Sequence, residues 1–128
     1  MTTTSVAKVE PSLQTTDENI TKIIAVLKEL EGVNVFDSSV GKSGRWKEPA
    51  DVYFYYEPSN QSGWLPAAKL AAKLADILIK SGSYDTDVSL GWTGDKDMPY
   101  IAVEIPAEQT RHVAMIFADH KTEFSYGI

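Results

Sequence analysis

The chain has 128 residues, a net charge of −6 and no cysteine. That length fits one ordinary domain. The missing thiols exclude disulfides, thiolate metal sites and cysteine nucleophiles, while the negative charge opposes non-specific binding to nucleic acid or anionic lipid. No apolar run is long enough to span a bilayer, and Met1, Thr2, Thr3, Thr4 and Ser5 lack the basic and apolar regions of a secretion signal. The expectation is a cytoplasmic protein.

Residues 1–14 are polar, Thr-rich and interrupted by Pro11. They read as a flexible N-terminal arm ahead of a single α+β domain over 15–128. An arm that orders on a partner through Val6 and Val9 is the alternative. A helix is expected from Thr15, where Thr15 and Glu18 offer a capping box. Ile20, Ile23, Ile24, Leu27 and Leu30 follow as one apolar stripe, Glu18 and Lys22 form an i,i+4 pair, and Gly32 can stop the helix. Residues 33–37 read as a short strand and 38–50 as a surface loop. In 52–56, five consecutive large β-formers predict a strand, with Val52, Phe54 and Tyr56 on one face and Tyr53 and Tyr55 on the other. Residues 58–63 then turn the chain.

A second helix is predicted over 64–81, with Pro66 in its first turn. Ala67, Leu70, Ala71, Leu74, Ile77 and Leu78 make its main stripe. Ala68, Ala72, Ala75 and Ile79 widen that stripe, which suits packing on a sheet and also permits contact with a second surface. Val88, Leu90 and Trp92 alternate with polar neighbours, as do Ile101, Val103 and Ile105, so two antiparallel strands joined by a loop at 93–97 are expected. Residues 106–119 read as a helix with Val113, Ile116 and Phe117 inward, although 111–117 could equally be a strand turning at 118–121. Residues 122–128 read as a closing strand with Phe124, Tyr126 and Ile128 on one side. With the helix choice, 51–128 runs strand–helix–strand–strand–helix–strand. That is the split βαβ of a ferredoxin-like two-layer sandwich, an antiparallel sheet covered by two helices, preceded here by an extra helix and strand.

Chemistry is sparse. Gly41-Lys42-Ser43 lacks the Gly that a phosphate loop needs five positions earlier, where Phe36 stands, and no strand leads it into a helix. His112 and His120 would lie about 80° apart on a helix, too divergent for one metal ion. A hairpin would bring them closer, and His120 has Asp119 and Glu123 beside it, but no serine-nucleophile motif is present. Asp85 with Asp87, and Asp95 with Asp97, lack the spacing of a calcium loop. No cofactor and no metal is expected, and no enzyme.

Between Asp85 and Glu104 the chain places five acids, Asp85, Asp87, Asp95, Asp97 and Glu104, against the single Lys96, which predicts a negative edge. Trp46, Tyr53 and Tyr55 are candidate contact residues, since tyrosine and tryptophan suit protein interfaces. Stacking on a single nucleic-acid strand would use the same aromatics with Arg45, Lys47 and Trp64. The charge disfavours it, and residues 100–105 lack the Gly and aromatic pattern of RNA-recognition motifs.

The element order through residue 80 resembles that of phage tail-terminator proteins. An opening helix runs into a short strand (33–37), a loop, and a second strand (51–57) that leads to a long helix. The resemblance rests on layout, covers the chain to residue 80, and implies a ring-forming assembly role. The residues themselves point first to a different function, an acidic protein-binding domain of the inhibitor or immunity type. Its negative edge would meet a basic surface of another protein, with a homo-oligomer possible in either case.

Overall fold

The computed structural model describes residues 11–58 and 63–125, with side chains from Glu18 onward. Helix α1 (Pro11–Lys28) leads into strands β1 (Val33–Ser39) and β2 (Ala50–Tyr56). Helix α2 (Trp64–Lys80) is followed by β3 (Asp87–Thr93) and β4 (Met98–Ile105). A 3-10 turn at Ala107–Gln109 then opens α3 (Thr110–Asp119), and α4 (Lys121–Phe124) follows. All strand pairs are antiparallel, in the order β1-β2-β4-β3. β2 and β3 therefore run parallel, with β4 between them and α2 joining them.

Alternation decides which face is core. Ala50, Val52, Phe54 and Tyr56 of β2 point the same way as Ile101, Val103 and Ile105 of β4, and all are buried. Ile20, Ile23 and Leu27 of α1, Leu70, Leu74 and Leu78 of α2, and Val113 and Phe117 of α3 close over them in one cluster. Burial of each such side chain stabilises the fold by about 1.5–3 kcal/mol. Helix α3 is tied to α1 by a buried hydrogen bond from Asn19 Nδ2 to Thr110 Oγ1, 3.5 Å long. The expected Glu18–Lys22 pair is present at 3.6 Å and exposed.

Within the described residues α1 is already helical at Pro11, upstream of Thr15. Thr15 is therefore inside the helix and cannot be its N-cap, and residues 11–14 are helical. Residues 1–10, with Val6 and Val9, lie outside the described residues, as do 59–62 of the expected turn. Gly32 does not stop α1, which ends at Lys28; it turns the chain into β1 with a φ of +95°, and a Cβ there would come within 2.5 Å of the Glu57 carbonyl oxygen.

One expectation holds in part and one fails. The main stripe of α2 is buried throughout, but its widening is not: Ala72 and Ile79 are exposed, and Ala68 and Ala75 only half-buried. One helix on a sheet covers one arc, and the second arc of α2 is left to solvent. The closing strand over 122–128 is also absent in its described part. Lys121–Phe124 is helical, and Phe124 is fully buried against Phe117, ring centroids 5.3 Å apart. β1 occupies the place beside β2, so a further strand has no partner there. Tyr126 and Ile128 lie outside the described residues.

Candidate functional site: the open face of the sheet

The helices pack on one face of the sheet, and the other face is built from the alternate residues. Read across the registered strands, Ser39, Asp51, Glu104 and Asp87 form one row. Asp37, Tyr53, Ala102 and Ser89 form the next, and Asn34, Tyr55, Tyr100 and Gly91 the third. Carboxylates thus collect towards one end of the face and aromatic rings towards the other.

A register shift between Val35 and Asp37 leaves Phe36 unpaired, a β-bulge that turns its ring onto this face. The ring stacks on Tyr55 at 4.4 Å, meets Tyr100 edge-on at 5.8 Å and tilts against Tyr53 at 6.1 Å. Tyr53 and Tyr100 are themselves 5.7 Å apart. Such pairs contribute about 0.5–1.5 kcal/mol each beyond area burial. Phe36 is 43% exposed while Tyr55 is only 6% exposed. Tyr55 is therefore the base of the cluster rather than a contact residue, with its hydroxyl 3.5 Å from Thr93 Oγ1.

The acids shape the electrostatics. Partial burial pushes the Asp51 carboxyl above the ordinary carboxylate value; hydrogen bonds from Ser39 pull it back, and the Asp37 charge adds to the push. The Tyr53 phenol is raised too, first by desolvation and then by the negative charges of Asp51 and Glu104. A cation brought to this face would relieve both.

The expected site residues are only partly brought together. Asp87, Glu104, Tyr53 and Tyr55 share the open face. Asp95 and Asp97 lie in the β3–β4 turn, separated from Asp87 by the length of β3, about 20 Å at ~3.3 Å per residue. Acids therefore flank the aromatics at both ends instead of forming one edge. Asp85 precedes β3 and accepts a hydrogen bond from Gln109 Nε2 at 3.4 Å, which turns it towards the helical layer. Trp46 is 76% exposed in the β1–β2 loop, with the Arg45 guanidinium 5.4 Å from its ring centroid. That loop leaves the sheet beside Ser39 and Asp51, at the acidic end. Phe36, Tyr100, Asp37 and Asp51 were missed as site residues. The alternation Asp51-Tyr53-Tyr55 against Tyr100-Ala102-Glu104 already carried the signal for all but Phe36 and Asp37.

Gly41 and Lys42 belong to a small turn in which Lys42 and Glu48 exchange backbone hydrogen bonds of 2.8 and 2.9 Å before the chain enters β2. No helix N-terminus follows, so no anion cradle forms. His112 is exposed on α3. His120 ends that helix, with Nδ1 2.9 Å from the Ile116 carbonyl and Nε2 3.7 Å from Glu123. Among the described residues no group of three or more His, Cys, Asp or Glu side chains could hold a metal ion. A groove of about 510 Å³ between α1 and α3 is lined, among the described residues, by Glu18, Asn19, Lys22, Arg111, Ala114, Met115 and Ala118. No helix among the described residues is long and apolar enough to cross a membrane.

Comparisons of the chain with protein-family models, with curated proteins and with solved structures return no match.

Proposed function

We propose that the chain is a non-enzymatic protein-binding domain of the inhibitor or immunity type, which docks its open sheet face on a basic surface of another protein in the cytoplasm. The observation that carries this reading is the aromatic platform of Phe36, Tyr53 and Tyr100, flanked by Asp37, Asp51, Glu104 and Asp87. Rings that are apolar in body and polar at the rim supply contact area at little entropic cost. The carboxylates steer a basic partner and set its orientation, so association is fast at low salt and slows as salt screens it.

The layout also supports a ferredoxin-like assignment, with β1 standing where the closing strand of that fold would lie and α1 taking the place of its second helix. A self-assembling subunit remains the second reading, favoured by the uncovered apolar residues on α2.

Capture of a partner from host extract by the immobilised chain tests the first reading. Asp51→Lys with Glu104→Lys should abolish capture while circular dichroism stays native, and wild-type capture should fall with added salt. Capture that survives both changes contradicts it.

A further inference from the structure

We infer that the outer face of α2 is a contact between two copies of this chain, packed antiparallel about a two-fold axis at Ala72. Leu65, Ala68, Ala72, Ala75 and Ile79 repeat at intervals of three and four along α2, which is the seam pattern of a coiled coil. The monomer does not use that seam: Leu65 is 63% and Ile79 55% exposed, although both are large and aliphatic. The buried stripe of α2 (Leu70, Leu74, Ile77 and their neighbours) faces the sheet instead.

Leu65 and Ile79 each lie seven residues from Ala72, with Ala68 four residues before it and Ala75 three after. In an antiparallel pair Leu65 of one copy meets Ile79 of the other at each end, and the alanines meet in the middle. Small residues there let the two axes approach to about 8 Å, the near end of the usual range. Charge selects the same arrangement. Lys69 and Asp76 flank the seam on one side, Asp76 also lying 3.0 Å from Lys80 of its own helix, and an antiparallel pair brings Lys69 of each copy beside Asp76 of the other. A parallel pair sets Lys69 and Asp76 against Trp64, Ala71 and Leu78, with no opposite charge to meet. The other flank of the seam is occupied within each copy, where Trp64 stacks on Trp92 of β3 at 5.3 Å.

Sedimentation equilibrium of the full chain tests this. The expected mass is twice the 14.1 kDa of one copy. Ala72→Glu should halve it, because two carboxylates then face each other on the axis, with far-ultraviolet circular dichroism unchanged. Lys69→Glu should weaken the dimer and Asp76→Lys should do the same, while the two together should restore it. A wild-type monomer at every soluble concentration overturns the proposal. So does a dimer indifferent to Ala72→Glu, or a charge swap that fails to restore association.

Discussion

The Tyr100 ring lies directly over the bare Cα of Gly91 on the neighbouring strand, so close that a Cβ there would collide with the ring. Gly91 thereby lets Tyr100 lie flat across β3, with Phe36 edge-on against it and Tyr53 beside it. Gly91→Ala should displace the ring and destabilise the domain by about 1–3 kcal/mol, the usual cost of overpacking. In urea denaturation the penalty should shrink when Tyr100→Ser is combined with it, because the collision then vanishes. Additive losses would mean the glycine serves something else.

Phe36→Ala removes three ring contacts from a half-exposed position. The expected stability loss is about 1–2 kcal/mol, which two or three aromatic pairs of ~0.5–1.5 kcal/mol would supply less what the exposed ring leaves to solvent. The expected effect on partner capture is larger, since Phe36 is the most exposed ring of the cluster. Thermal denaturation and capture by the immobilised variant separate the two effects.

Burial raises the Asp51 carboxyl above its unfolded value, with the Asp37 charge adding to the shift. The folded protein then holds a proton on Asp51 more tightly than the unfolded chain does. The stability linked to this group is present below the unfolded value and is lost as pH rises through the folded one. Asp51→Asn should therefore stabilise the protein at neutral pH and flatten the acid side of its stability profile. Binding to a basic partner has the opposite sense: it favours the carboxylate, so affinity should fall as pH drops through the raised Asp51 value, and binding at mildly acidic pH should release protons. Calorimetry in buffers of different ionisation enthalpy reads that release directly.

Phe124→Ala should cost about 3–5 kcal/mol, the usual loss for a fully buried phenylalanine. The ring is wholly inside and rests against Phe117. Equilibrium unfolding measures the loss. A closing strand at the sheet edge would have left Phe124 half-covered and the cost much smaller.

Much of this was legible in residue patterns. The period-two runs Val52-Phe54-Tyr56 and Ile101-Val103-Ile105 identified the buried face, and Tyr53 with Tyr55 identified its reverse. Glycine at position 32 marked the turn into β1, although α1 itself ends four residues earlier, at Lys28. What escaped depended on partners distant in the chain. The bulge at Phe36 is a mismatch between β1 and β2, invisible within β1 alone. The helical state of residues 121–124 follows from Phe124 finding Phe117 seven residues back, a spacing that competes with the two-residue alternation of Phe124 and Tyr126. The separation of Asp87 from Asp97 comes from β3 being fully extended between them, which turns acids close in sequence into two distant ends of one face. The second apolar arc of α2 was visible, but composition alone could not show that it stays uncovered.

Site-specific photo-cross-linking tests the central claim most directly. With p-benzoylphenylalanine placed at Tyr53 on the open face, irradiation in host extract should yield a discrete adduct to a basic protein. The same group at Met115, exposed on α3, should yield none. Adducts from Met115 alone, or equal adducts from both positions, would contradict a docking surface on the open side of the sheet.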